Sequence, residues 1–362
     1  MSGVSYMNNT TFSSIVSKIS AKYEQLLGAV DIAIDLGTAT TRIGIVDKGV
    51  VLKEPTFIGL NTKTNEYIFF GTEAKQIYGK TPHFIKIIKP VENSILADFD
   101  ACVALIDAFT KKAVFPYYTH NRFIRTGLNA YISIPSSATE VQQKATVEAV
   151  RRVGYASASL IQKPFLAATG AGFNIFGNAP IFTVDIGAGS VEIAVIIMGG
   201  IVASKTLSIG GDYLDRQIAN YIHLKYGIIT GELTVETLKS TLLNYETQDG
   251  SSTIRGKSLE NGLPKSVKVT SNDIKEATSP AINQLVDGIK EVIESLPPEI
   301  VDGVFRTGAV LTGGVAECPG LDHFISSEVK VPMVASKNAG EATMQGLLIL
   351  AKQKALLPRI LV

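Results

Sequence analysis

Ala33-Ile34-Asp35-Leu36-Gly37-Thr38-Ala39-Thr40-Thr41-Arg42-Ile43-Gly44-Ile45-Val46 and Thr183-Val184-Asp185-Ile186-Gly187-Ala188-Gly189-Ser190-Val191-Glu192-Ile193-Ala194-Val195-Ile196 follow one template. Each reads as an apolar strand, an aspartate, a tight turn of Gly, Ala, Ser and Thr, and a second apolar strand. A β-hairpin with small residues at its tip presents backbone N–H groups that an anion can approach. The aspartate at the strand end is placed to hold a cation or its water shell. One such unit is a common turn. Two in the same register, facing each other, would clamp a metal-bound polyphosphate from both sides, which makes a nucleotide site by internal duplication. Strand–helix alternation in two similar halves then argues for α/β domains related by pseudo-twofold symmetry.

Outward from the first hairpin, Val50 to Pro55 continues a meander, and residues 57–92 read as a small insertion. Helical spacing runs from Asp98 to Lys112 and from Ser137 to Val153, the second opened by Ser137 or Thr139 and closed by Gly154. Asn129–Ile134 and Ala158–Ile161 read as strands, and Pro164–Gly172 as a small-residue helix. After the second hairpin, Asp212 is a candidate cap for a helix through Tyr226. A second insertion spans 216–270, with a helix over Thr234–Asn244 and polar strands after it. A long helix over Asn272–Leu296 is expected to break near Pro280. A strand at Ala309–Thr312, a helix near Asp322, a strand at Val331–Val334 and a helix from Glu341 to Leu356 close the chain. The lobes expected are 31–180 with 336–362, and 181–335. Residues 1–30 precede them as an extension, in which Phe12, Ile15, Val16, Ile19, Tyr23, Leu26 and Leu27 share one helical face. That segment is either a surface helix docked on its own domain or an amphipathic anchor.

The 362 residues carry 46% hydrophobic and 19% charged side chains with a net charge of +1. This is a globular composition without the basic footprint of a nucleic-acid binder. Cys102 and Cys318 are too few for a disulfide framework or metal site and read as reduced, buried hydrophobes. No apolar run reaches the roughly 18 residues of a membrane span, and no signal-peptide pattern opens the chain.

In the duplicated reading, Asp35 and Asp185 share Mg²⁺ through water, because that ion gives up its hydration shell reluctantly. Backbone amides of Gly37, Thr38, Ala39 and Thr40, and of Gly187, Ala188, Gly189 and Ser190, take phosphate oxygens, with hydroxyls of Thr38, Thr40 and Ser190 assisting. Gly313-Gly314, after an apolar strand, is either a tight turn or a flat platform for a purine or its sugar. Glu236 and Lys239, one helical turn apart, form either a surface ion pair or a clamp on the ribose and adenine edge.

The order DLGTATT (35–41), IQKPFLAATGAG (161–172), DIGAGSVEIAVI (185–196), IGGDYLD (209–215) and VLTGG (310–314) resembles the actin-like and heat-shock chaperone ATPase superfamily. KGVVLKEPTFIGL (48–60), ILADFD (95–100), SIPSSATEVQQKA (133–145), SIGGDYLDRQIANYI (208–222), GELTVETLK (231–239), IRGKSLENGLPKSVKVTSNDIKEA (254–277) and AVLTGGVAECPGL (309–321) resemble the MreB-like bacterial actins in particular. The resemblance covers nearly all of 31–355. It implies an actin-like ATPase fold: two duplicated RNase H-like α/β domains, each with a small insertion subdomain, and a cleft that binds ATP or ADP with Mg²⁺. It further implies a cytoplasmic protein peripheral to the cell membrane. Such a protein polymerises with itself into filaments on the inner membrane surface and determines or maintains cell shape. Family paralogues and membrane proteins are further partners of this kind of protein; nucleic acid is not.

Three departures from the family pattern bear on chemistry. Gln162-Lys163 stands where two acidic residues usually precede the proline, the first of which orients the attacking water. Glutamine can still orient water through its amide, but it is a poor proton acceptor, so slow hydrolysis is expected with Gln162 and Asp185 as the catalytic pair. Lys163 faces either the phosphates or a filament neighbour. Ala188 replaces a glycine and Ser190 a threonine. Arg42 either points inward to compensate phosphate charge or outward as a solvated strand residue. Val114, Phe115, Tyr117 and Tyr118, before the basic stretch His120–Arg125, lie where MreB-like proteins insert a hydrophobic loop into lipid; the bland alternative packs Phe115 and Tyr117 on the domain. Two other functions stay open: a filament that binds ATP without hydrolysing it, and, less favoured, a small-molecule kinase on the same fold. A chaperone ATPase is disfavoured because no substrate-binding domain follows the fold.

Overall fold

The computed structural model describes residues 29–118, 127–246 and 249–362. The N-terminal apolar face at Phe12–Leu27 and the basic stretch 120–125 lie outside them. Of Phe115 and Tyr118, only the backbone is described.

Two five-stranded sheets carry the chain, and they have the same topology. In the first, β1 (Val30–Leu36), β2 (Thr40–Ile45), β3 (Gly49–Pro55), β9 (Leu128–Ile134) and β10 (Ser157–Gln162) are ordered β10-β9-β1-β2-β3. In the second, β11 (Ile181–Ile186), β12 (Val191–Ile197), β13 (Gly200–Leu207), β17 (Ala309–Thr312) and β18 (Met333–Ala335) are ordered β13-β12-β11-β17-β18. Each sheet joins an antiparallel meander of three strands to two parallel strands on the far side of the first. The repeated template of the sequence is thus a repeated sheet.

Both central strands are mostly apolar because both faces of each sheet are covered. In β1, Ile32 and Ile34 enter one core with the helices Phe99–Ala113 and Glu140–Val153. Ala33, between them, enters another core with the helices Lys163–Gly170 and Ala342–Lys352. Ile181 and Ile196 of the second sheet enter that same core, so the helix pair is shared by both sheets. The two helices meet backbone to backbone. A Cβ on Gly170 would lie 1.8 Å from the Ala342 carbonyl oxygen, and one on Gly346 would lie 1.9 Å from that of Leu166. Gly170, within the small-residue stretch Pro164–Gly172, is therefore a packing requirement. The outer face of the second sheet is closed by the helices Ser271–Glu294, Pro298–Thr307 and Leu321–Val329. Burying one such large aliphatic side chain contributes about 1.5–3 kcal/mol.

Two small three-stranded sheets accompany the large ones. One is built by β4 (Ile58–Asn61), β5 (Glu66–Phe70) and β6 (Ile85–Ile88), the other by β14 (Ile228–Ile229), β15 (Ser251–Ser258) and β16 (Pro264–Thr270).

Local signals settle most boundaries. Thr139, not Ser137, caps its helix through a reciprocal capping box with Gln142, and Gly154 ends it at φ +107°. Two expectations fail. Asp212 does not cap the helix Gly211–Tyr226; Gly210 holds the cap position without a side-chain bond, and Asp212 lies in the first turn. Pro280 does not break its helix, which runs unbroken from Ser271 to Glu294. Pro280 lies on the exposed face, where the carbonyl left without its N–H partner can turn to water. Both cysteines are free; burial pushes the Cys102 thiol up to about 12 and leaves it unreactive. Among the described residues, no helix is long and apolar enough to cross a membrane.

Candidate functional site

The duplication places two aspartates at equivalent strand ends. Asp35 on β1 accepts a bond from Ser133 Oγ on β9 (2.7 Å), and Asp185 on β11 accepts one from Thr312 Oγ1 on β17 (2.8 Å). β9 and β17 are the equivalent parallel neighbours in the two sheets. Each aspartate is thus held by a hydroxyl from the strand beside it, and both are buried. Burial pushes the Asp185 carboxyl upward; Lys163 opposes that shift and the charge of Asp35 adds to it, so the two aspartates share one electrostatic neighbourhood.

The residues opposite the aspartates break the symmetry. Asp35 pairs across the hairpin with Arg42, and Asp185 with Glu192. Directly opposed residues share a sheet face, so one aspartate sits beside a cation and the other beside a carboxylate. Arg42 is not the solvated residue of the outward alternative: its side chain is 14% exposed. Its guanidinium lies 3.3 Å from Asp35 Oδ2, donates to the Gly340 carbonyl at 2.8 Å and approaches Glu341 at 3.4 Å. Glu192 accepts bonds on Oε2 from the backbone N–H (2.9 Å) and the hydroxyl (3.0 Å) of Ser136, which follows β9 of the other sheet. Burial raises its carboxyl from 4.5 to about 7, against the pull of Lys163.

Lys163 is buried, and its ammonium donates to Ser94 Oγ at 2.7 Å. It therefore lies inward, beside the hairpin tips. Ser94 also donates its N–H to Thr38 Oγ1 (2.8 Å) and lies 3.3 Å, oxygen to oxygen, from Ser190. The Asn93-Ser94 turn, with φ of 49° and 62°, therefore touches both hairpin tips and the lysine together. Gln162 holds the cap position of the helix Lys163–Gly170 without a side-chain capping bond.

Above the tips lies a cavity of about 610 Å³. Thr38, Ala39, Gly189 and Glu236 of the expected residues line it. Phe57, Lys75, Tyr78, Lys89, Asp212, Asp215 and Arg216 line it too; Lys75, Tyr78 and Lys89 lie in none of the family-like motifs, and Phe57, Asp212, Asp215 and Arg216 lie in such motifs without being marked there as site residues. Its mouth is bridged between the two insertions: Lys75 Nζ bonds Glu236 (2.8 Å), while Tyr78 Oη (2.8 Å) and Lys89 Nζ (3.2 Å) bond Glu232. Glu236 and Lys239 accordingly do not pair with each other. Lys239 lies outside the cavity lining, donating to Asp215 (2.8 Å) and the Gly211 carbonyl (2.9 Å). Gly313 and Gly314 do not line the cavity either. Gly313 is glycine because φ is +87° and a Cβ would lie 2.3 Å from the Ile186 carbonyl; Gly314 faces open space. The remaining tip residues, Gly37, Thr40, Gly187, Ala188 and Ser190, do not line it.

Mg²⁺ fits this donor set as an ion held partly by its ligand. Among the described residues, no three His, Cys, Asp or Glu converge, so the protein offers hard oxygens from Asp35 and Asp185 but no complete cage. That is how Mg²⁺ is usually bound, with water and phosphate completing its shell.

Of the expected lipid-facing residues, Val114 is corrected: it is 1% exposed and belongs to the first core, because it ends the packed face of the helix Phe99–Ala113. Tyr117 is exposed, with the Lys48 ammonium 5.1 Å from its ring centre.

Duplicated sheets of this topology with a cavity over paired hairpin tips define an actin-like fold. Residues 29–358 match the family model described as MreB/Mbl protein, and the chain belongs to that family. The cell shape-determining protein Mbl of Bacillus subtilis is 34% identical over 91% of this chain and 98% of its own length. The cell shape-determining protein MreB of Escherichia coli K12 is 33% identical over 85% of this chain and 89% of its own. The crystal structure of MreB5 of Spiroplasma citri bound to ADP superposes with a TM-score of 0.85 at 27% identity, covering 91% of this chain and 98% of that one. The MamK double helical filament, at 19% identity and a TM-score of 0.75, shares the fold.

Proposed function

We propose that this protein is an ATP-binding cytoskeletal polymer that determines or maintains cell shape from the cytoplasmic face of the membrane. The observation that carries the reading is the pair of hydroxyl-braced aspartates, one from each sheet, beneath two small-residue tips that border one cavity. Family membership, the cell-shape relatives and the solved MreB5 structures with ADP and with AMPPNP support it. In this reading the tip amides of Gly37–Thr40 and Gly187–Ser190 hold the phosphates. Asp185, with Asp35, holds the water shell of Mg²⁺, which when bound neutralises phosphate charge. Asp35 is the lesser partner because Arg42 occupies its second oxygen. Gln162 orients the attacking water, and the adenosine end lies towards Glu236. Loss of the γ-phosphate removes a ligand shared by both tips and loosens their closure, so slow hydrolysis times the polymer. The lobes that move are 31–180 with 336–362, and 181–335.

A second reading, a filament that binds ATP and barely hydrolyses it, is favoured by one observation: Lys163, a cation, is buried beside the tips in the motif where the family carries an acid. Sedimentation of the full chain with ATP, ADP or no nucleotide, with and without anionic vesicles, tests the first reading. ATP-dependent pelleting, enhanced by vesicles, is expected; protein that stays in the supernatant throughout overturns it. Phosphate release from the pelleted polymer separates the two readings.

A further inference from the structure

Glu192 is a buried carboxylate with half of its acceptor capacity unused. Its Oε2 takes both Ser136 donors, from the opposite sheet. Its Oε1 is buried, and no donor among the described residues reaches it. Leaving a buried acceptor unsatisfied costs about 1–3 kcal/mol, so such an atom beside Asp185 marks a place where a donor arrives with the ligand, although Glu192 itself does not line the cavity. The position of that atom is constrained. Glu192 is the cross-strand partner of Asp185 and shares its face of the hairpin. Lys163, which follows Gln162, lies close enough to act on both carboxylates. The first hairpin has no unsatisfied acceptor there: Arg42 holds the equivalent position, its terminal nitrogens have partners, and its Nε, buried without a hydrogen bond, is a donor 3.4 Å from Glu341.

We infer that Glu192 is the carboxylate that receives the attacking water, in place of the acid that Gln162 has replaced. The inference rests on the proposed nucleotide reading of the cleft. Water donates one O–H to Oε1 while the Gln162 amide fixes its other contacts. The water oxygen bonds to the γ-phosphorus, and the bond from that phosphorus to the β–γ bridging oxygen breaks, leaving its electron pair on ADP. The water proton moves to Oε1 and then to a phosphate oxygen, so Glu192 is regenerated. Ser136 acts as a positioning residue. Because its two bonds come from the other sheet, Oε1 is aimed only while the two sheets are closed on each other.

The test uses the full chain with Mg²⁺ and ATP, reading ATP affinity by equilibrium binding and phosphate release by single turnover. Glu192→Gln keeps the shape and removes the proton acceptor. Its release rate is expected to fall about 10²-fold, the low end for loss of a general base, with ATP affinity within threefold of wild type. Adding Gln162→Glu to that variant is expected to recover at least tenfold of the loss, an outcome that a merely structural role for Glu192 does not give. Ser136→Ala, which leaves the backbone N–H in place, is expected to slow release about tenfold and keeps the test alive if Glu192→Gln does not fold. Wild-type protein that binds no ATP sinks the nucleotide reading itself. Wild-type protein that binds ATP without releasing phosphate overturns this inference alone. So does a Glu192→Gln protein that releases phosphate at the wild-type rate, or that loses affinity and rate together.

Discussion

Gly189→Ala isolates the closeness of the two hairpin tips. Its φ lies outside the left-handed region, so the backbone tolerates a side chain. The space does not. A Cβ at Gly189 would lie 2.3 Å from Thr38 Oγ1 on the other tip, and 2.8 and 2.9 Å from Cα and N of Asn93. Thr38 can rotate away only by giving up the Ser94 N–H bond. Asn93 offers backbone atoms in a turn at positive φ, which yield less readily still. Overpacking of this kind costs about 1–3 kcal/mol. Because the clash is across the tips, most of that cost falls on their closed arrangement, and a ligand that needs closure should bind about 5- to 150-fold more weakly. Gly187→Ala is the control, since its Cβ meets only the Ser190 carbonyl of its own hairpin, at 3.1 Å. ATP titration and chemical unfolding of both variants give the comparison. If Gly189→Ala binds ATP as wild type does, or if Gly187→Ala is equally damaging, the argument from tip-to-tip contact is wrong.

In nucleotide-free protein, the Glu192 carboxyl, raised from 4.5 to about 7, makes the fold bind a proton more tightly than the unfolded chain does. That stability is complete below about pH 4.5 and is lost as pH rises through 7; the raised Asp185 acts in the same direction. Wild-type unfolding free energy should fall by up to about 3 kcal/mol over the window, and Glu192→Gln should flatten that fall; parallel curves in urea unfolding refute it. Removing Lys75 and Lys89 together should open the mouth between the insertions and speed nucleotide release several-fold, as raised salt should in wild type, because these pairs are exposed and screened. Stopped-flow exchange that ignores both changes counts against the bridged mouth. Tyr117→Ala should weaken vesicle co-sedimentation without loss of stability, whereas Val114→Ala should cost about 1–3 kcal/mol of folding and leave vesicle binding alone. A reversal of the two effects would return Val114 to the lipid face.

How far the site could be read in advance depended on what kind of information each residue carried. Asp35, Asp185 and their tips were legible because a repeated pattern signals a repeated environment, and the sheets repeat it strand for strand. Ser133 and Thr312 were not, because a hydroxyl in an apolar strand has no local signature; its role comes from which strand lies alongside. Glu236 and Lys239 misled through spacing, since one helical turn brings side chains near each other only when nothing stronger competes. Here Lys75 and Asp215 compete, from elements 161 and 24 positions away.

The sequence by itself determined the strand–turn–strand units, the duplicated α/β architecture, the end of one helix at Gly154 and the family, because these rest on local periodicity and on motifs read in order. Only the tertiary structure decided that Lys163 faces inward, that Arg42 is tied to Asp35 and Glu341, that Val114 is core, and that Glu192 reaches across to Ser136 with one oxygen left free. Those facts depend on burial and on partners distant in sequence, and neither is encoded at the residue itself.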